Sequence, residues 1–181
     1  MSIKENLKSI VNELDTNTLS IDYEAFNNLT DQITHAKRIF LCGKGRSGLA
    51  ISAFANRLMH LGLDVALVGE ITAPRAKKGD LLIIGSGSGE TGSLISLANK
   101  AKSEQVNIAL ITTNSESTIG KMADCVITLP CASKLDNNSK QPMASAFEQL
   151  SFMTYDAIVM ELMTVLNQNA DDMFQRHANF E

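Results

Sequence analysis

Two segments rich in glycine and hydroxyl side chains carry the spacing that could do chemistry. Gly43-Lys44-Gly45-Arg46-Ser47-Gly48 follows the apolar run Ile39 to Cys42, and Gly85-Ser86-Gly87-Ser88-Gly89-Glu90-Thr91 follows Leu81 to Ile84. Glycines after a strand let backbone approach an anion, and the free N–H groups that open the following helix supply donors. Lys44 and Arg46 add formal positive charge suited to a dianionic phosphomonoester. The hydroxyls of Ser47, Ser86, Ser88 and Thr91 complete a phosphate cradle that needs no metal. Gly45, Arg46, Ser47, Ser86, Gly87, Ser88, Gly89, Glu90 and Thr91 are therefore the candidate substrate-binding residues. Taken alone, the first segment also has the spacing of a dinucleotide fingerprint, with Glu70 placed after the next strand to meet a ribose hydroxyl. The two cations and the second glycine loop weigh against that reading.

Proton transfer needs a base, and Glu148 is the candidate. It follows Gln141-Pro142-Met143-Ala144-Ser145-Ala146-Phe147 near the start of a long helical segment. Beside apolar Met143 and Phe147 its carboxylate would be desolvated, as a general base requires. From composition alone an exposed helix glutamate is the better reading. His177, close to the C-terminus, reads locally as a surface residue. His35 and His60 read as structural. No His, Cys or carboxylate pair has metal-ligand spacing, so neither metal nor other cofactor is expected. The overlapping Gly-Ser-Gly triplets have no visible base partner and do not read as a hydrolase nucleophile elbow.

Five apolar runs must position these residues: Ile39 to Cys42, Val65 to Val68, Leu81 to Ile84, Ile108 to Ile111 and Val126 to Leu129. Apart from Thr128 they are apolar throughout, as strands buried on both faces are. Helical patterns lie between them, clearest over 49–61 and 91–102, which implies a parallel sheet. The expectation is a three-layer α-β-α fold with a five-stranded parallel sheet in flavodoxin-like order. Helices at 1–36 and 141–181 are additions to it. The first has Ile3, Leu7, Ile10, Val11 and Leu14 on one face and is interrupted at Asp15-Thr16-Asn17-Thr18; the second carries Ala25, Phe26, Leu29 and Ile33. The last helix is expected from Pro142 with an apolar stripe of Met143, Phe147, Leu150, Ile158, Leu162 and Leu166. Ser133 to Lys140 reads as a loop.

Composition narrows the function. The chain has 181 residues and a formal net charge of -4, which suits one domain over 1–181 and lacks the basic footprint of a nucleic-acid binder. No segment approaches the roughly 20 apolar residues of a membrane span. Cys42, Cys125 and Cys131 are scattered and odd in number, the pattern of reduced thiols in the cytoplasm.

Together these residues resemble the sugar isomerase (SIS) domain family and, within it, the 6-phospho-3-hexuloisomerase family. The resemblance extends from Gly43–Gly48 and Gly85–Thr91 through Arg57-Leu58-Met59-His60-Leu61-Gly62, Gly79 to Ile83 and Ser117-Thr118-Ile119-Gly120. It continues to Gln141-Pro142-Met143, Phe147-Glu148-Gln149 and Arg176-His177-Ala178-Asn179. It implies isomerisation of 3-hexulose 6-phosphate to fructose 6-phosphate through an enediol, in the ribulose monophosphate pathway that assimilates formaldehyde. It also implies a homotetramer or homodimer, and a glutamate base that maps onto Glu148. His177 is assigned to moving the proton between oxygens, with its own or a neighbouring subunit's site left open. The competing readings are an arabinose 5-phosphate or heptose phosphate isomerase and a non-catalytic phosphosugar-binding module. Lys44, Ala144, Ala146 and Phe180 depart from the pattern, which usually has a small residue, Gly, Leu and Leu there.

Overall fold

A computed structural model describes residues 2–132 and 139–180. Five strands form one sheet: β1 (Ile39–Gly43), β2 (Val65–Leu67), β3 (Leu81–Gly85), β4 (Asn107–Thr112) and β5 (Cys125–Thr128). All pairings are parallel, in the order β2-β1-β3-β4-β5. This is the expected flavodoxin-like arrangement.

Continuous apolar runs become strands here because alternate side chains enter two separate cores. Ile39, Leu41, Leu81, Ile83, Ala109 and Ile111 point to one face, where they meet α1 (Ile3–Thr18), α2 (Ala25–His35), α3 (Gly45–His60) and α5 (Ser145–Val165). Phe40, Cys42, Leu82, Ile84, Ile108 and Leu110 point to the other, covered by α4 (Gly92–Ser103). Helix, sheet and helix make the three layers.

Three element boundaries depart from the sequence expectation. Helix α1 continues through the polar Asp15–Thr18 stretch. Thr16 and Thr18 donate their hydroxyls back to the carbonyls of Asn12 and Asp15, at 2.9 and 2.6 Å, so these side chains bond within the helix instead of ending it. The last long helix does not begin at Pro142. A 3-10 turn occupies Pro142–Ala144, with Met143 at φ 58° and Ala144 at φ 62°, and α5 starts at Ser145. Consequently Met143 is exposed rather than part of the buried stripe, which begins at Phe147. Finally, a short α6 (Ala170–Phe174) follows, capped by Asn169 Oδ1, which accepts from the amides of Asp171 and Asp172. Of the expected loop, residues 133–138 lie outside the described residues.

The two glycine loops leave the sheet side by side. Gly43 pairs in register with Gly85, so β1 and β3 end at the same level. Helix α3 then turns directly back over β1: a Cβ on Gly48 would lie 3.0 Å from the Gly43 carbonyl oxygen, and one on Gly43 would lie 3.0 Å from Gly48 Cα. Backbone on both sides leaves no flexible atom to yield. Gly48→Ala should therefore destabilise the fold by about 1–3 kcal/mol, the usual range for overpacking. Urea unfolding against wild type measures it, and an unchanged midpoint would mean the contact relaxes freely.

Candidate active site

The carboxyl ends of β1, β3 and β4 open into a cavity of about 580 Å³. The first loop contributes Lys44, Gly45 and Ser47; the second contributes Gly85 to Ser88 and Thr91. Glu148, Phe147 and Ala144 close it from α5, and Thr113 from the end of β4. Of the predicted residues, Gly45, Ser47, Ser86, Gly87, Ser88, Thr91 and Glu148 thus share one cavity wall. Arg46, Gly89, Glu90 and His177 do not line it.

Three helices point their N-termini at this space, and none is capped by a side chain. Lys44, Thr91 and Ala144 occupy the N-cap positions of α3, α4 and α5 without a side-chain hydrogen bond to the first turn. Each helix start leaves N–H groups without intrahelical partners and carries about half a positive charge. Uncapped ends converging on one cavity form a site for an anion.

The second loop is braced from within and from β4. Ser86 Oγ accepts from the Gly89 amide and Ser88 Oγ from the Glu90 amide, both at 3.2 Å, and each hydroxyl proton remains available to an outside acceptor. The Gly87 carbonyl takes three donors: the Thr113 amide at 3.0 Å, the Thr113 hydroxyl at 2.8 Å and the Thr112 hydroxyl at 3.0 Å. In a planar trans peptide the N–H points opposite to the C=O. Clamping Gly87 towards β4 therefore turns the Ser88 N–H the other way, where it meets no acceptor among the described residues. Thr112 and Thr113 are functional residues that the sequence does not mark. Their signal was two adjacent threonines ending the fourth apolar run, which is unremarked without the fold. On the other side Gly87 abuts Phe147, whose Cδ1 would lie 3.1 Å from a Cβ at Gly87.

Glu148 lies in the first turn of α5, with its side chain 13% exposed. Its neighbours differ from those expected. Met143 turns outward, and the carboxylate Oε2 is ion-paired with Arg46 Nε. Arg46 is 63% exposed and faces a second, shallower cavity on the outer side of α3 and α5, shared with Glu148, Leu49 and Phe152. The base candidate thus stands between the main cavity and an exposed guanidinium.

Glu90 has a different role from the one its loop suggested. Its carboxylate accepts from the Thr118 amide at 2.6 Å and the Thr118 hydroxyl at 2.7 Å, tying the second loop to the 117–120 turn. Gly89 is buried in that junction, where a Cβ would fall 2.0 Å from Ser117 Oγ.

His177 is at the other end of the molecule. Its ring stacks on His60, the last residue of α3, with centroids 5.2 Å apart and planes at 21°. Arg176 holds the tail there by donating from Nη1 to the His60 carbonyl and to Gln168 Oε1, both at 2.9 Å. The cavity faces the start of α3, and 16 helical residues span about 24 Å. Within one chain the structure does not bring His177 to Glu148.

Among the described residues no group of three or more His, Cys, Asp or Glu could hold a metal ion. No helix among them is long and apolar enough to cross a membrane.

Comparison with known proteins places this geometry in a family. The SIS domain matches residues 32–160. The chain is 45% identical over 185 residues to the 3-hexulose-6-phosphate isomerase of Bacillus subtilis (strain 168), covering 100% of each chain. It is 37% identical over 182 residues to that of Mycobacterium gastri, covering 99% of this chain and 92% of the other. Among solved structures, a Methanococcus jannaschii protein superposes with a TM-score of 0.87 at 36% identity, covering 98% of this chain and 99% of that one. Its crystal structure led to an inferred molecular function of 3-hexulose-6-phosphate isomerase.

The Glu90 bracket generates a pH prediction. The hydroxyl and then the amide of Thr118 hold the Glu90 carboxyl below its ordinary value of 4.5. A group lowered in the folded state stabilises it above the ordinary value, and that contribution disappears as pH falls through the lowered one. Glu90→Gln should melt below wild type at neutral pH, with the gap closing in acid below about pH 4. Melting curves across that range provide the check; a gap independent of pH would show that the charge on Glu90 contributes nothing.

Proposed function

The chain belongs to the SIS domain family, and from that premise we propose that it is a sugar-phosphate isomerase converting 3-hexulose 6-phosphate to fructose 6-phosphate. The names of the Bacillus subtilis and Mycobacterium gastri relatives, matched along nearly their whole lengths, support the substrate. The observation that carries the reading is the carboxylate of Glu148 on the wall of a cavity where three uncapped helix N-termini converge. Donors suited to an anion and a carboxylate able to move a proton share one cavity. The whole chain works as one SIS unit, without a cofactor, in the cytoplasm, within the ribulose monophosphate route of formaldehyde assimilation.

The substrate has its carbonyl at C3 and its terminal oxygen phosphorylated, so no free hydroxyl can close a five-membered ring. It binds open, and no ring-opening acid is required. Glu148 removes the proton from C2, breaking that C–H bond. The electron pair forms an enediol across C2 and C3. Glu148 then delivers the proton to C3 while the hydroxyl proton of O2 passes to O3, leaving the carbonyl at C2. Charge builds on O3 and then O2, where Arg46 and the loop amides stabilise it. Arg46 must therefore exchange Glu148 for substrate oxygen during the cycle.

The oxygen-to-oxygen proton is assigned to His177 of a neighbouring subunit. The tail docks far from its own cavity, and the apolar positions Ile3, Leu7 and Val11 of α1 and Phe152, Met160 and Val165 of α5 are exposed in the single chain. Burying them against other copies gives a homotetramer or homodimer.

Two measurements test this. Glu148→Gln should keep phosphosugar affinity and lose single-turnover rate by at least roughly a hundredfold, the low end of what a positioned base contributes. Near-normal turnover would remove Glu148 from the mechanism. Mixing inactive Glu148→Gln with His177→Ala protein under subunit exchange should restore part of the activity, since some hybrid sites hold both wild-type residues. Full activity of His177→Ala alone, or no recovery although hybrids form, would overturn the shared site.

A further inference from the structure

The two cations of the first glycine loop are separated by the fold, although the sequence places them two residues apart. Arg46 lies on α3 and reaches the α5 side, where Glu148 takes it. Lys44 goes the other way. It is extended, at φ -128° and ψ 151°, and follows Cys42 by two residues, so it shares the face to which Cys42 points. That is the face of α4, since Cys42 packs in the same core cluster as Leu94. Leu94 and Lys44 both line the main cavity.

A second observation agrees with this placement. Burial pushes the Cys42 thiol up to about 12, and the positive charge of Lys44 is the influence that opposes it. Lys44 thus lines the cavity from the face of the sheet that α4 covers, together with Ser86, Ser88 and Thr91. Among the described residues it makes no ion pair, whereas Arg46 is committed to Glu148. It shares this cavity with the uncapped start of α4, the Ser86 and Ser88 hydroxyls and the Ser88 amide that the threonine clamp turns away from β4.

We infer that Lys44 is the counter-charge of the substrate's phosphate, and that the site is divided between a phosphate end on the α4 side and a reacting end on the α5 side. The inference rests on the isomerase reading for the reacting end only; the phosphate end stands on the cavity itself. A phosphomonoester carries up to two negative charges, which the half-charges of helix termini match only in part. Lys44 supplies a full unit at the place where those termini meet. It thereby selects phosphorylated over unphosphorylated sugars, while Arg46 is kept for charge that develops during the reaction.

The test compares Lys44→Gln and Lys44→Arg with wild type. Lys44 is exposed, so both variants should melt with wild type. In Lys44→Gln the affinity for fructose 6-phosphate by calorimetry, and for inorganic phosphate as a competitor, should each weaken by about tenfold, the low end for a charged hydrogen bond. In turnover of 3-hexulose 6-phosphate the loss should fall on KM, with kcat reduced by less than about threefold. Lys44→Arg should recover most of the affinity, and the salt dependence of phosphate binding should be shallower in Lys44→Gln. Affinities of Lys44→Gln within about twofold of wild type for both ligands, a difference under half a kcal/mol, would overturn the inference. So would a collapse of kcat at constant KM, which would put Lys44 at the reacting end. If wild type fails to turn over 3-hexulose 6-phosphate, the isomerase reading fails, while the phosphate and fructose 6-phosphate titrations still decide the role of Lys44.

Discussion

The parallel pairing of β1 with β3, ending in register at Gly43 and Gly85, is the constraint on which the site depends. In the order β2-β1-β3-β4-β5, β1 leads outward to β2 while β3 leads inward to β4. The loops leaving β1 and β3 consequently diverge to opposite faces of the sheet, opening a crevice between them. Helix α3 departs on one face and α4 on the other. Two N-termini that would otherwise lie on separate layers meet across the top of the same strand pair. Glycine at both strand ends is what permits it: Gly43 and Gly48 touch backbone to backbone, and Gly85 and Gly87 lie against Tyr155 and Phe147.

Once the crevice exists, its electrostatics follow from what has been left out. A capping Ser or Asp at the start of α3, α4 or α5 would satisfy the first-turn amides internally and reduce their pull on a ligand. Lys44, Thr91 and Ala144 do not cap. The stability forgone at each end, of order 1 kcal/mol, appears as donors directed at the cavity. The hydroxyls that might have competed are used to shape the second loop: Ser86 and Ser88 accept loop amides, and Thr112 and Thr113 hold the Gly87 carbonyl. Anion binding and loop rigidity therefore come from the same few hydrogen bonds.

What could be read in advance follows the range of the interactions involved. The strands are legible because burial on both faces leaves a local mark, a short run that is apolar but for Thr128, and glycine extends β1 and β3 one residue beyond those runs as backbone. The strand-helix alternation implies a parallel sheet, but the strand order that brings the glycine loops together is not written in the residues and is given by the structure. Interactions across long sequence separations were not visible. Nothing near Arg46 in the sequence shows that Glu148, 102 residues away, takes its guanidinium. Glu90 was grouped with its loop because its partner Thr118 belongs to another turn. A threonine after a strand, such as Thr113, is ordinary until the neighbouring loop is in place. The start of α5 was misread for a conformational reason: Met143 and Ala144 are good helix formers, and their left-handed backbone leaves no compositional trace.

That left-handed pair bears on the chemistry. An L-residue in this region costs about 1–2 kcal/mol, and here two stand in succession immediately before the helix that carries Glu148. Pro142 cannot supply an amide to continue a regular helix, and the reversal at Met143 and Ala144 brings the chain in so that α5 opens at the cavity with Ala144 on its wall. Strain of this kind persists only where surrounding structure over-determines it. The restraint is Phe147, which is buried and packed against Gly87, one residue before Glu148. The second glycine loop and Glu148 are thus held to each other through two aromatic side chains of α5, Phe147 against Gly87 and Tyr155 against Gly85, and the left-handed turn sets where that helix begins.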